Sequence, residues 1–136
     1  MSDQPTPAHP SLSPDILVVD DTPANLDLLS AMLGDRGYRV RVATNGPRAL
    51  QAARASTPDL VMLDINMPGM HGYDVCRQLK GNPATAHVPV IFVSALDEVV
   101  DKVKAFDAGG ADYVTKAFQF VEVLARIENQ LRVQRL

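Results

Sequence analysis

The chain has 136 residues, 46% of them hydrophobic and 21% charged, with a formal net charge of −3. That fits one domain with an ordinary core and excludes a global electrostatic pull toward nucleic acid or an anionic membrane. One cysteine, Cys76, rules out an internal disulfide framework and points to a reducing compartment. No apolar run approaches a membrane span and no basic-then-apolar leader opens the chain, so a cytoplasmic location is expected.

Residues 1–13 are rich in Pro and Ser without apolar periodicity and read as a tail or linker; residues 14–136 read as the domain. Ile16–Val19 is a buried strand ending in Asp20-Asp21. Thr22-Pro23 then starts a helix, with Thr as N-cap and Pro in the first turn. Leu26, Leu29 and Leu33 recur at helical spacing, and Gly34 or Gly37 can end it. Arg39–Ala43 alternates polar and apolar, as an edge strand with one wet face does. Asn45-Gly46-Pro47 opens a second helix with Ala49, Leu50 and Ala53 toward the sheet.

Leu60-Val61-Met62-Leu63 is a strand buried on both faces, and it stops at Asp64 before the turn Asn66-Met67-Pro68-Gly69. A third helix follows from about Gly72 to Lys80, with Val75 and Leu79 inward. Val88–Val93 is a further strand ending at Ser94. A fourth helix from about Glu98 to Ala108 carries Val99, Val103 and Phe106 as its stripe. Tyr113–Thr115 is a short strand that stops at Lys116. A fifth helix from about Gln119 to Arg135 faces inward with Val121, Leu124, Ile127 and Leu131; its C-terminal stretch is read as leading into a linker.

Five strands alternating with five helices predict a doubly wound parallel sheet, flavodoxin-like, of order 2-1-3-4-5. In that order the first and third strands are neighbours at the switch point, where ligands bind. Asp20, Asp21 and Asp64 should therefore converge, with Ser94 and Lys116 on the other side of Asp64. Each alone has an ordinary explanation as a cap or a solvated charge; their meeting on one sheet edge does not. Three close carboxylates need a cation or a shared proton, and all-oxygen ligands suit Mg²⁺ or Mn²⁺. With a lysine nearby the pocket fits phosphoryl transfer, and central Asp64 is the candidate nucleophile.

Four motifs then carry a resemblance: Ile16–Asp21, Leu63–Met70, Val93-Ser94-Ala95 and Gly110–Lys116. Together they resemble the receiver domain of two-component response regulators, over about Asp15 to Leu131. The resemblance implies that Asp64 accepts a phosphoryl group from a sensor histidine kinase or phosphotransfer protein. It implies Mg²⁺ held by Asp21 and Asp64, by Asp20 through water, and by the backbone carbonyl of Asn66. Lys116 would pair with phosphoryl oxygens, Ser94 would move to bond them, and Tyr113 would turn inward as it does. The face of the fourth helix, fifth strand and fifth helix would then change its contacts with an output domain, an effector or a second copy. Such a domain is a switch rather than an enzyme, apart from its own phosphoryl acceptance and slow loss.

One position departs from the family: Ala117 stands where proline usually follows the lysine, commonly with a cis bond. A cis bond before a non-proline costs about 2.5–4 kcal/mol, so a trans or heterogeneous Lys116–Ala117 bond and a less well placed Lys116 are expected. His9, His71 and His87 lack metal-ligand spacing and read as surface residues; Cys76 reads as packing. An aspartyl phosphatase fits less well, because Asn66 stands where a general acid is needed. A nucleotide-binding module of this sheet order would want a glycine-rich loop where Asp20-Asp21 stands. A receiver-like scaffold that takes no phosphate has only Ala117 in its favour. No helix-turn-helix or basic patch points to nucleic acid, and nothing points to a membrane.

Overall fold

A computed structural model describes residues 13–94, 102–115 and 120–135. The elements run β1 (Asp15–Val19), α1 (Pro23–Gly34), β2 (Arg39–Ala43), α2 (Gly46–Ala55), β3 (Leu60–Asp64), α3 (Gly72–Gly81), β4 (Val90–Ser94), α4 (Lys102–Asp107), β5 (Asp112–Thr115) and α5 (Phe120–Arg135). The strands form one sheet of order β2-β1-β3-β4-β5, and every pairing is parallel.

The three central strands are buried along their whole length, which is why they read as continuous apolar runs. Their side chains alternate between two cores. Leu17, Val19, Val61, Leu63 and Phe92 meet Ala49, Leu50 and Ala53 of α2, Val75, Cys76 and Leu79 of α3, and Ala105 of α4. On the opposite face Ile16, Val18, Leu60, Met62 and Ile91 meet Leu26, Leu29 and Leu33 of α1 and Val123, Leu124, Ile127 and Leu131 of α5. Each Leu, Ile, Val, Met or Phe side chain among them, removed from water, contributes on the order of 1.5–3 kcal/mol.

Local signals explain the boundaries. Asn45 caps α2, its side-chain oxygen accepting from the Arg48 N–H at 2.9 Å. After α1 the chain reverses at Gly37, whose φ of +88° is the left-handed region glycine tolerates. Arg41 fastens the far end of the sheet: it pairs with Asp15 at 3.0 Å and donates to the carbonyls of Ala52 and Ser56, closing the C-terminus of α2.

Several expectations shift. Of the expected stripe of α4, Phe106 is instead 59% exposed, while Ala105 and, just past the helix, Ala108 are buried. The turn after α4 comes so close to Phe92 that a Cβ at Gly110 would meet its ring, so small residues fit against the sheet here. Val99 lies outside the described residues, as does the side chain of Val103. In α5 Val121 is 73% exposed and Val123, at 1%, takes the inward place, because the buried stripe runs through Val123, Leu124, Ile127 and Leu131. On β2 the apolar face is only half dry, since Val42 is 49% exposed. β4 starts at Val90, two residues later than its apolar run suggests.

Candidate metal and phosphoryl site

The sheet brings its acids to one edge. Asp64 is the last residue of β3, and Asp20 and Asp21 directly follow β1, the neighbouring strand. Val19 lies opposite Leu63 in the β1–β3 register, so the next residue of each strand is a carboxylate. One carboxylate oxygen from each of Asp20, Asp21 and Asp64 lies within 4.8 Å of the others. Asp20 and Asp64 are buried and Asp21 is exposed, so the cluster is open on one side. At that separation two buried carboxylates repel by about 3 kcal/mol at an effective dielectric near 20.

Asp20 is held by its own helix. One of its oxygens accepts from the Thr22 N–H at 2.8 Å and the other from the Asn25 amide at 3.2 Å. Thr22 occupies the N-cap position of α1 as its sequence suggests, yet its hydroxyl makes no capping bond. The Asp20 carboxylate fixes the turn into the helix instead, through the N–H of Thr22 itself. Asn25, a positioning residue for Asp20, went unread because an Asn in the first turn of a helix has many ordinary uses.

Asp64 is placed by backbone. The Ile65 N–H donates to the Val93 carbonyl at 3.1 Å, tying the end of β3 to β4. The Gly72 N–H donates to the Ile65 carbonyl at 2.7 Å, which folds the start of α3 over the strand end. A Cβ at Gly72 would collide with the Asp64 carbonyl oxygen. Its glycine was legible only as a helix start, since the close approach is a tertiary fact.

Ser94 ends β4, next to β3, with its residue fully buried. Its Oγ is the one buried side-chain polar atom among the described residues without a hydrogen-bond partner. A buried hydroxyl in that state awaits an acceptor or a rearrangement. Asn66 is exposed, two residues beyond Asp64. Tyr113 is half-buried and packs against the core that contains Phe92, its neighbour in register. Lys116 and Ala117, with the bond between them, lie outside the described residues. His71 is more than a surface residue: it caps α3, its Nδ1 accepting from the Tyr73 N–H at 3.2 Å, and its ring lies 4.8 Å from that of Tyr73.

A doubly wound parallel sheet with three carboxylates at its switch point and a buried hydroxyl beside them defines a receiver-type signalling module. The chain belongs to the response regulator receiver domain family, whose model matches residues 16–128. It is therefore a receiver domain of two-component signalling, a switch rather than a conventional enzyme. Over 121 residues it is 43% identical to Response regulator PleD of Caulobacter vibrioides, covering 89% of this chain and 27% of that protein. Over 119 residues it is 42% identical to the DNA-binding dual master transcriptional regulator RpaA of Synechocystis, covering 88% of this chain and 49% of that one. It thus spans about a quarter to a half of these relatives' length. Among solved structures it resembles the signal receiver domain of a signal transduction histidine kinase from Syntrophus aciditrophicus (TM-score 0.81, 32% identity, 88% of this chain and 91% of that one). A CheY-like response regulator receiver domain protein from Methanospirillum hungatei is similar too (TM-score 0.84, 25% identity, 90% and 97%). Among the described residues no helix is long and apolar enough to cross a membrane.

Proposed function

We propose that this domain is a phosphorylation-controlled switch in which Asp64 accepts a phosphoryl group from the phosphohistidine of a sensor histidine kinase or phosphotransfer protein. The observation that carries this reading is the meeting of Asp20, Asp21 and Asp64 beside the unpartnered hydroxyl of Ser94. The donor set tests well for a metal: carboxylate oxygens on an open-sided site suit a hard divalent ion that keeps waters, Mg²⁺ or Mn²⁺. Asp20, Asp21 and Asp64, with the Asn66 carbonyl, would hold it. When bound it supplies charge neutralisation, so that an anionic phosphoryl group can approach the acids.

The remaining steps fall to the chain. An oxygen of Asp64 attacks phosphorus, the P–N bond to the donor imidazole breaks, and its electron pair returns to the ring nitrogen. Asp64 is left as an acyl phosphate. The Ser94 hydroxyl donates to one phosphoryl oxygen and gains the partner it lacks, and Lys116 pairs with another. Slow hydrolysis resets the switch. The new group adds a charge of about −1.5 to −2 and three acceptors, enough to bias a two-state segment. Tyr113 turns inward as Ser94 engages, and the face of α4, β5 and α5 changes its contacts with an output domain, an effector or a second copy. Residues 1–13 act as a tail, residues 14–136 as the receiver unit, and the cytoplasm is the expected setting. We assign no nucleic-acid or membrane contact to this domain.

The test is intact-protein mass spectrometry after incubation with a small-molecule phosphodonor, with and without Mg²⁺, on wild type and Asp64→Asn. One Mg²⁺-dependent, base-labile phosphoryl adduct, absent in the variant, is expected. A folded wild-type protein that takes no adduct overturns the reading in favour of a receiver-like scaffold.

A further inference from the structure

The open margin of the sheet carries a surface that the phosphoryl site does not use, and its argument is independent of that reading. From Arg36 to Pro58 the sequence holds Arg36, Arg39, Arg41, Arg48 and Arg54 and no Asp or Glu, in a chain of net charge −3. Three of these are engaged within the chain: Arg41 with Asp15, Arg36 over the Phe120 ring at 5.5 Å, and Arg39, whose Nε–H donates to the Ser13 carbonyl at 3.0 Å. Arg39, Arg48 and Arg54 are exposed. Arg48 and Arg54 have no ion-pair partner among the described residues. The segment is thus a basic margin on an acidic molecule, which corrects the expectation of no basic patch: its arginines are spaced too widely in sequence to read as a cluster.

This margin is also open in its backbone. β2 ends the sheet. The Arg39 N–H donates to the Pro14 carbonyl at 3.0 Å, and the Ala43 carbonyl accepts from the Asp20 N–H at 3.1 Å. In a parallel ladder alternate residues serve one neighbour, so Arg39, Arg41 and Ala43 face β1 while the N–H and C=O groups of Val40 and Val42 point away from the sheet. Beside them a groove of about 420 Å³ opens between β2 and α2, lined by Val42, Thr44, Arg48, Gln51, Ala52 and Ala55. Val42 stands half-exposed at its lip.

We propose that this margin docks an acidic, extended segment of a partner protein, added as a further strand along β2. The outward amides and carbonyls of Val40 and Val42 give it main-chain hydrogen bonds. The groove takes one of its small apolar side chains, and a carboxylate of the segment pairs with Arg48 at the groove's wall. Nucleic acid fits less well. No aromatic side chain lines the groove for base stacking, and a sugar-phosphate backbone makes no use of alternating amides and carbonyls.

The test uses the ¹⁵N-labelled full chain titrated with a capped hexapeptide, Glu-Val-Asp-Val-Glu-Val, and with its counterpart in which Lys replaces each acid. The expected result is saturable amide shifts confined to residues 40–44 and 48–55 with the acidic peptide alone. Arg48→Glu should weaken the apparent affinity about fivefold or more, and raising salt from about 50 to about 300 mM should weaken it too. The variant keeps its fold, because Glu suits the third helical position behind an Asn cap. No shifts at these amides, equal shifts with the lysine peptide, or indifference to Arg48→Glu overturns the proposal. So do shifts there on concentrating the protein alone, which assign the margin to a second copy, or a stronger response to a single-stranded oligonucleotide.

Discussion

Gly72 lies against the backbone of Asp64 so closely that a methyl group there would meet the aspartate's carbonyl oxygen, while its own N–H reaches the Ile65 carbonyl at 2.7 Å. The candidate phosphoryl acceptor is thus positioned by a residue that carries no chemistry. Gly72→Ala should cost about 1–3 kcal/mol of stability through overpacking and should weaken Mg²⁺ binding severalfold. Gly81→Ala, in the same helix with nothing within 4 Å of its added methyl, should be neutral or stabilising. Urea unfolding and a Mg²⁺ titration of both variants check this.

The acidic cluster predicts an exchange of stability for metal response. Asp20→Asn keeps an acceptor for the Thr22 N–H and removes one charge from the cluster. The metal-free variant should therefore melt higher than wild type, and added Mg²⁺ should raise its melting temperature much less. Asp20→Ala should also lose the hydrogen bonds from the Thr22 N–H and the Asn25 amide, at a cost of about 1 kcal/mol. Thermal melts with Mg²⁺ and with a chelator separate the two variants.

Ser94→Ala removes a hydroxyl that is buried without a partner. The unphosphorylated protein should lose nothing and should gain on the order of 1 kcal/mol, because an unsatisfied buried polar group is a penalty. Phosphorylation should still occur on Asp64, while the shift it induces in the amides of β5 should shrink. Calorimetry and amide spectra before and after phosphodonor treatment read the two effects.

Cys76 gives a pH prediction. Burial pushes its thiol up from 9.0 to about 11, with Lys80 and Arg77 pulling weakly the other way. Between those values the unfolded thiol loses its proton while the folded one keeps it. Stability should therefore fall as pH rises from about 9 to about 11, by at most about 3 kcal/mol, and level off above. Lys80 works against this slope, since burial lowers its ammonium and the unfolded lysine holds the extra proton. Cys76→Ala isolates the thiol's share as the difference between two urea-unfolding series. In the native protein near pH 8 the thiol should resist alkylation and become reactive only on unfolding.

The sheet order and its acids could be read from the chain because they depend on local pattern: runs such as Leu60–Leu63 ending in Asp64, and helix starts such as Asn45-Gly46-Pro47. What stayed hidden depends on contacts between distant segments. Phe106 and Val121 satisfy helical spacing yet point to solvent, because the approach of each helix to the sheet selects the face. Ala105 and Ala108 are buried for the opposite reason, being small enough for the close passage beside Phe92. Asn25 and Gly72 acquire their roles from where Asp20 and Asp64 finally stand. His71 reads in the sequence as a surface residue, and its capping bond from the Tyr73 N–H depends on a ring orientation that no sequence pattern specifies.

The parallel pairing of β1 with β3 has a consequence for biosynthesis. Asp20 and Asp21 emerge from the ribosome before Asp64, with α1, β2 and α2 between them in the chain. A nascent chain that stops short of residue 60 carries Asp20 and Asp21 but neither Asp64 nor Ser94. Non-local strand pairing is slow compared with helix formation. The three carboxylates therefore meet only once β3 has joined β1, so the cluster belongs to the assembled sheet and not to its first half.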